Sequence, residues 1–178
     1  ESRRLSRMVR RMLDVSQLQA IDPLRGANHF DICESMRRVL ISMEKKITDR
    51  HLDVDADIPE EPILVRGDND MITQVIYNLL ENATKFAREG TTLYLGVTTI
   101  DGKARVTVRN LGDTIPAEEL PLLFERFHKS DKSRSEDKDG VGLGLYIVKT
   151  ILEQHKEKIN VTSENGVTTF AFSLSMDA

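Results

Sequence analysis

Apolar residues recur along this chain with two different spacings, one typical of helices and one typical of strands. Residues 1–20 carry apolar side chains at three- and four-residue steps with arginines between them, which predicts an amphipathic helix. A lone helix of that length is marginally stable in water, so we expect it to pack on its own domain or in a bundle with another chain. Pro23 and Gly26 then end the pattern.

Three later segments also have helical spacing. We expect helices over residues 31–48, 70–88 and 142–154. The first has Ile32, Met36, Val39, Leu40 and Met43 on one face. The second has Ile72, Ile76, Leu79, Leu80 and Ala83 on one side.

Strand-like alternation fills much of the remaining chain. A short strand is expected near residues 63–66, and two hairpins are expected over residues 92–99 with 103–109 and 159–163 with 168–174. The Asp101-Gly102 pair is a strong signal for the first hairpin turn. The segment from Gly112 to Gly140 is polar and irregular. Together these elements predict an α+β fold, a two-layer sandwich of helices on a mixed, mostly antiparallel sheet.

Composition narrows the possible functions. The chain has 178 residues, of which 39% are hydrophobic and 30% charged, as in an ordinary globular domain. Its net charge of −4 argues against a general nucleic-acid binder. There is no apolar run approaching the roughly 20 residues of a membrane span and no signal peptide, so we expect no membrane contact. The single Cys33 fits a reducing compartment and is expected to be an inert, partly buried thiol.

The helix over 70–88 carries a polar strip beside its apolar side. Asn78, Asn82 and Lys85 lie along one edge, away from the apolar stripe. An amide oxygen is a suitable neutral ligand for Mg²⁺, and a lysine ammonium is suited to phosphate. The alternative is a solvated helix face with an Asn–Lys contact.

Glycines at alternate positions open the helix over 142–154. Gly140, Gly142 and Gly144 let the backbone approach a ligand, while the helix N-terminus directs free N–H groups at it. No βαβ unit and no Gly-Lys-Ser/Thr triplet accompany them, which excludes a Rossmann fingerprint and a P-loop. The alternative is a glycine-rich turn that packs a helix closely.

Two further segments contain candidate functional residues. Asn110 to Pro116 follows a strand, and Phe124 to Phe127 precedes a charged stretch that continues to Lys138. A polar segment just before a phosphate-binding turn suits a mobile lid with cations that meet phosphates. The alternative is a disordered surface loop.

In this order and spacing, the four elements resemble the Bergerat-fold (GHKL) ATPase domain of bacterial two-component sensor histidine kinases, from about Phe30 to Leu174. The resemblance implies ATP and Mg²⁺ as ligands, with the catalytic domain over residues 28–177, a sheet packed on three helices and a lid at about 124–141. Residues 1–22 resemble the end of the second helix of the dimerisation and phosphoacceptor hairpin. The chain starts at Glu1 inside a helical pattern, so we expect a piece of a longer protein.

The resemblance also assigns roles to individual residues. Asn82 resembles the Mg²⁺ ligand, with Asn78 and Lys85 on the phosphate side; Phe86 resembles the aromatic residue that stacks on adenine. Gly112 belongs to the first glycine box, and Ile115 lines the adenine pocket. Arg126 or Arg134 approaches the γ-phosphate, and Phe124 and Phe127 anchor the lid. The second glycine box and its pocket lining comprise Gly140, Val141, Gly142, Leu143, Gly144 and Leu145.

The chain departs from the family pattern at two single positions and in one short turn. Asn110 stands where an aspartate usually accepts a hydrogen bond from the adenine amino group, so the charge is lost while an acceptor remains. Thr114 replaces the second glycine of the first box, which is costly if that backbone needs a positive φ. His155-Lys156-Glu157 replaces a His-Gly-Gly turn. We expect His29, His51, His128 and His155 to be surface or lid residues.

The resemblance implies that the parent protein transfers the γ-phosphoryl group of ATP to a histidine that this chain lacks. An aspartate of a response regulator then receives it. The parent is expected to be a homodimer in the bacterial inner membrane, with this domain in the cytoplasm. Two alternatives are open. One is another GHKL-type ATPase, which would need a glutamate such as Glu81 to activate water; the other is a degenerate interaction module that binds nucleotide weakly.

Overall fold

The computed structural model of the protein describes residues 22–25, 28–125 and 143–176. The helix predicted over residues 1–20 lies outside these ranges, and so does most of the predicted lid. The described part contains seven strands: β1 (His29–Asp31), β2 (Asp53–Asp57), β3 (Leu64–Arg66), β4 (Thr92–Ile100), β5 (Lys103–Leu111), β6 (Asn160–Glu164) and β7 (Val167–Ser175). It contains four α-helices: α1 (Ile32–Ser42), α2 (Glu44–Asp49), α3 (Asn69–Phe86) and α4 (Gly144–Gln154).

The main sheet has five strands in the order β2-β4-β5-β7-β6. β2 runs parallel to β4, and every other neighbouring pair in this sheet is antiparallel. A second sheet consists of β1 and β3 in antiparallel pairing. The predicted α+β class and the mixed, mostly antiparallel sheet are therefore confirmed.

Two hairpin turns organise the main sheet. Asp101 and Gly102 have φ angles of 50° and 77°, and Asn165 and Gly166 have φ angles of 52° and 79°. Two consecutive residues with positive φ define the type I′ turn, whose twist matches that of the strands on either side. Each turn thereby sets the register of its hairpin.

One face of the main sheet is covered by helices. Inward-facing strand residues alternate with outward-facing ones, as expected for a sheet with one buried face. α3 lies on that face and completely buries the five apolar residues predicted for its stripe. The largest fully buried side chains include Phe170, Phe172, Ile72, Ile76, Leu79 and Leu93.

The helix predicted over residues 31–48 is in fact two helices. Met43 lies between α1 and α2 with φ −95° and ψ 0°, in the right-handed region but away from the angles of a regular α-helix. Its side chain is fully buried, and Ile47 of α2 is buried as well. Both short helices thus contribute apolar residues to the core.

Two strands were missed by the sequence reading. All five residues of β2 are exposed and three of them are aspartates, which are depleted in strands, so no local pattern marks this element. It forms by pairing with β4. β1 is only three residues long and exists through its pairing with β3. A short 3₁₀ helix, Leu120–Leu122, also interrupts the segment expected to be irregular.

The prediction that His155 is a surface residue was wrong. His155 is only 4% exposed, and its ring lies against Gly67. It follows α4 directly and accepts a hydrogen bond from the backbone of Asp68. The ring is therefore buried between the end of one helix and the start of another. Cys33 is likewise fully buried, and this burial raises the pKa of its thiol.

None of the helices within residues 22–25, 28–125 and 143–176 is both long enough and apolar enough to cross a bilayer.

Candidate functional site

The candidate site lies along α3, which packs against α4 and also contacts β5. Asn78 of α3 donates from Nδ2 to the carbonyl oxygen of Gly144, the first residue of α4, at 3.1 Å. Gln74 donates to Oδ1 of Asn78 at 2.9 Å, so both ends of this amide are hydrogen-bonded. Asn78 is buried rather than part of a solvated edge, because α4 packs across it. The structure therefore brings Asn78, on the polar side of α3, to the first residue of α4.

Asn82 and Lys85 continue the same side of α3 towards its C-terminal end. Residues three and four apart on a helix are neighbours, so these side chains follow Asn78 in sequence and in space. Both are half-buried. The Asn82 amide has no side-chain hydrogen bond to any other residue that the structure describes. It therefore remains available to a ligand.

Glu81 faces α2 rather than α4. Its carboxylate accepts a hydrogen bond from Lys46 Nζ at 2.7 Å, and Lys46 also donates to the hydroxyl of Tyr77 at 3.1 Å. Burial alone would raise the pKa of Glu81, but the hydrogen bond and charge of Lys46, with the charge of Lys85, outweigh burial and lower it. Glu81 is thus an ionised partner of an ammonium group, and an engaged carboxylate of this kind is a poor base for water.

The first glycine box lies against the C-terminal end of α3. Gly112 forms a bridge with Ala87, and the N–H of Arg88 donates to the carbonyl of Leu111 at 2.7 Å. A Cβ atom at Gly112 would lie 2.5 Å from the carbonyl oxygen of Phe86, which is a clash with backbone. Glycine is therefore required at this position, and it brings the half-buried Phe86 beside the box.

Three hydrogen bonds fasten the box to the hairpin formed by β6 and β7. Gly112 donates to the carbonyl of Gly166 at 2.7 Å, and Gly166 donates to Thr114 Oγ1 at 2.7 Å. Ile115 donates to Ser163 Oγ at 2.8 Å. Thr114 does not have a positive φ, so the strain considered for this replacement of glycine does not arise. Its hydroxyl instead adds a contact that glycine could not make.

Asn110 lies on the helix-facing side of β5. It is 4% exposed, and the strand alternation places it on the same face as Val106 and Val108. Within the described ranges its amide makes no side-chain hydrogen bond. Its cross-strand partner is Thr168 of β7. Asn110 is thus a buried amide at the edge of the core, beside Gly112.

Sequence reasoning missed Thr168 and Ser163. Their hydroxyl oxygens lie 2.8 Å apart, and both residues are buried. The signal was present, because Thr168 occupies an inward-facing position of β7, where an apolar residue is usual. A polar residue at such a position needs a partner or a ligand.

The remaining described site residues lie at the margins of this region. Phe124 packs edge-on against Phe170 of β7, with ring centroids 6.1 Å apart and an interplanar angle of 88°. Leu143 is buried just before α4, and half-buried Leu145 packs against the core. The other assigned residues lie outside the described ranges, and their roles stay predictions: Arg126, Phe127, Arg134, Gly140, Val141 and Gly142.

A sequence comparison identifies the family. Residues 67–178 match the family described as histidine kinase-, DNA gyrase B-, and HSP90-like ATPase. The chain belongs to this family. Sensor histidine kinase CusS of Escherichia coli O6:H1 is 33% identical over 174 residues, which is 98% of this chain and 36% of CusS. The chain spans about a third of the length of the curated relatives it matches.

Solved structures agree with this assignment. The nucleotide-free catalytic domain of histidine kinase ThkA is 28% identical, with a TM-score of 0.74 over 84% of this chain and 95% of that domain. A structure of ThkA in complex with response regulator protein TrrA is 26% identical, with a TM-score of 0.76 over 97% of this chain and 48% of that one. The fold is the GHKL fold, and the chain is an ATP-binding catalytic domain of the sensor histidine kinase type.

Proposed function

We propose that this site binds Mg²⁺-ATP and presents its γ-phosphoryl group to a histidine. The hydrogen bond from Asn78 to Gly144 carries the proposal, because it supports a single cleft lined by the polar side of α3 and by the turn that opens α4. ATP would lie with its base beside Phe86 and the first glycine box. Its phosphates would extend towards Lys85 and the start of α4.

The phosphate end depends on positive charge and on free N–H groups. The first N–H groups of a helix have no partner within it and favour anions. The start of α4, preceded by the glycines at 140 and 142, would supply such groups. Lys85 would add a positive charge from α3, and Arg126 or Arg134 would add another from the lid. The packing of Phe124 on Phe170 supports a lid attached to the core at this point.

The residues present fit a magnesium ion that is held mainly by the nucleotide. Mg²⁺ prefers oxygen ligands and is usually bound by few protein groups together with substrate phosphates. Within the described ranges no group of three or more His, Cys, Asp or Glu residues could hold a metal. The half-buried Asn82 amide would supply a neutral oxygen ligand. When bound, the ion neutralises charge on the phosphates.

In the proposed reaction, a nitrogen of the acceptor histidine attacks the γ-phosphorus and ADP leaves. An aspartate of a response regulator then accepts the phosphoryl group. Phosphoryl transfer asks the protein mainly for positioning and charge neutralisation, which is what this cleft offers. The ThkA complex with a response regulator supports such a partner. We also propose that the parent is a homodimer through the hairpin that residues 1–22 resemble; its place in the inner membrane stays a prediction.

The pairing of Glu81 with Lys46 favours transfer to histidine over hydrolysis by water. A water-using ATPase needs a carboxylate base near the γ-phosphate. Glu81, the candidate on α3, is engaged on the side facing α2. This observation speaks against the alternative of a water-activating ATPase.

Calorimetric titration of the chain with Mg²⁺-ATP tests the proposal. We expect saturable binding that weakens when Mg²⁺ is omitted, and Asn82→Ala should weaken it further. Asn160→Ala, at the exposed start of β6, is the matched control and should bind as the wild type does. The absence of heat at millimolar nucleotide would contradict the proposal and favour a degenerate module. An added phosphoacceptor helix should then become labelled on its histidine from γ-labelled ATP.

A further inference from the structure

The end of the cleft that is proposed to hold the base carries an uncharged side chain, Asn110. This is the position expected to distinguish one purine from another. Asn110 is 4% exposed, and its amide makes no side-chain hydrogen bond with another described residue. Its cross-strand neighbour is Thr168. The polar atoms of this amide are not among the described side-chain atoms that are sealed from solvent without a partner, so they can meet a ligand. The inference drawn from it rests on the proposed binding of ATP at this site.

The neighbouring hydroxyls are also neutral. Thr168 Oγ1 and Ser163 Oγ lie 2.8 Å apart, and either atom can be the donor. Ser163 also accepts the N–H of Ile115. Each hydroxyl has one hydrogen that rotates, so this pair can present a donor or an acceptor to the cleft. An amide can do the same by a half-turn about its last side-chain bond.

A carboxylate at position 110 would behave differently. It offers only acceptors, so it pairs with the 6-amino group of adenine and repels the 6-oxo group of hypoxanthine or guanine. An asparagine accepts from a 6-amino group through Oδ1 and donates to a 6-oxo group through Nδ2. The difference matters because Asn110 is only 4% exposed, so little water is available to relieve an acceptor that faces an acceptor.

We propose that Asn110 is a specificity-determining residue that lets this site accept 6-oxopurine nucleoside triphosphates as well as ATP. The amide, with the Thr168 and Ser163 hydroxyls beside it, can either accept from or donate to the group at the 6-position of the purine. The chain therefore discriminates weakly between the two classes of purine. Restoring a carboxylate at this position restores discrimination.

Inosine triphosphate is the suitable probe, because it carries the 6-oxo group without the 2-amino group of guanine. The dissociation constants of Mg²⁺-ATP and Mg²⁺-inosine triphosphate are measured by calorimetry on the whole chain. In the wild type we expect the two values to agree within about tenfold. In Asn110→Asp we expect the ratio to rise in favour of ATP by about tenfold or more, through weaker binding of inosine triphosphate.

Asn160→Asp is the matched control, since it makes the same chemical change at an exposed position at the start of β6. It should leave the ratio unchanged. Thermal unfolding of Asn110→Asp checks that the variant folds; if it does not, the wild-type ratio still decides. Wild-type discrimination against inosine triphosphate of more than about a hundredfold overturns the proposal, and so does an unchanged ratio in folded Asn110→Asp. Failure of both nucleotides to bind the wild type would instead overturn the proposed function.

Discussion

His155 accepts the backbone N–H of Asp68 through Nε2 at 3.1 Å, so the residue that ends α4 is bonded to the residue that caps α3. Its Nδ1 lies 2.8 Å from the carbonyl oxygen of Ile151 and therefore carries the proton of a neutral ring. Asp68 in turn accepts the N–H of Met71 at 2.9 Å. This chain of bonds fixes the N-terminal end of the helix that bears Asn82.

The neutral ring of His155 makes stability depend on pH. Burial lowers the pKa of His155 below its ordinary value of 6.5, opposed in part by the Ile151 carbonyl and by the charges of Asp68 and Glu157. The unfolded chain therefore takes up this proton at a higher pH than the folded one. The stabilisation is complete above pH 6.5 and is lost as the pH falls through the lower pKa of the folded state. We expect the free energy of unfolding in urea to fall between about pH 7.5 and about pH 5.5.

The comparison that isolates His155 uses two variants. In His155→Gln the free energy of unfolding should fall less over the same pH range, because the titrating ring is gone. His51→Asn removes an exposed histidine at a position with φ 54°, which asparagine tolerates, and should keep the fall of the wild type. An undiminished fall in His155→Gln would show that another group is responsible.

Gly112→Ala should damage both stability and nucleotide binding. The new Cβ would lie 2.5 Å from the Phe86 carbonyl oxygen, so either β5 or the end of α3 has to move. We expect a loss of about 2 kcal/mol in the free energy of unfolding, together with weaker Mg²⁺-ATP binding. Urea unfolding and calorimetry measure the two effects.

Gly96→Ala is the matched control for that experiment. Gly96 lies within β4, and its nearest neighbour to a new Cβ is the carbonyl oxygen of Asp57 at 3.7 Å, an ordinary contact. Alanine should be tolerated there and binding should not change. If both variants lost stability equally, the close approach of Gly112 to α3 would not explain the loss.

Much of the fold follows from local sequence patterns. The Asp101-Gly102 and Asn165-Gly166 pairs specify their turns by conformational preference alone, and the apolar spacing of α3 matches its burial. β2 could not be predicted, because its five exposed residues pair with β4 across a long stretch of chain. Local propensity has no information about such a partner.

The site was less predictable than the fold. Resemblance to a family indicated which residues of α3 matter, but it did not indicate that Asn78 is buried under α4. The buried His155 also escaped prediction, because a histidine after a helix resembles a surface cap. Only the structure shows that Gly67 leaves room for its ring, since a Cβ at that position would lie 2.6 Å from His155 Cδ2.

Asn78→Ala and Asn82→Ala should separate stability from binding. The buried amide of Asn78 makes one hydrogen bond to Gly144 of α4 and one to Gln74 within α3, so its removal should cost about 1–3 kcal/mol of unfolding free energy. Asn82 is half-buried and has no side-chain hydrogen bond to another described residue, so its removal should change stability by less than about 0.5 kcal/mol. Both variants should bind Mg²⁺-ATP more weakly. Wild-type stability in Asn78→Ala would contradict a structural role for the bond to Gly144.

Lys156→Gly should stabilise the protein. Lys156 follows the C-cap of α4 with φ 59°, where its N–H donates to Glu153 and the next N–H, of Glu157, donates to Leu152. This is the Schellman arrangement, in which glycine is the usual residue at that position. The left-handed conformation costs a lysine about 1–2 kcal/mol, whereas glycine loses only about 0.5–1 kcal/mol more backbone entropy on folding. We therefore expect a gain of about 0.5 kcal/mol or more, seen as a higher midpoint of thermal unfolding.

Lys158→Gly provides the matched control, because it removes the same charge from an exposed position that does not have a positive φ. At position 158 glycine makes the unfolded chain more flexible without relieving any backbone strain in the folded one. The midpoint of thermal unfolding should therefore fall slightly. A gain in both variants would point to the loss of positive charge as the cause. A gain in Lys156→Gly alone would show that the left-handed backbone of Lys156, two residues after the end of α4, is strained. α4 is the helix that begins at the proposed phosphate site.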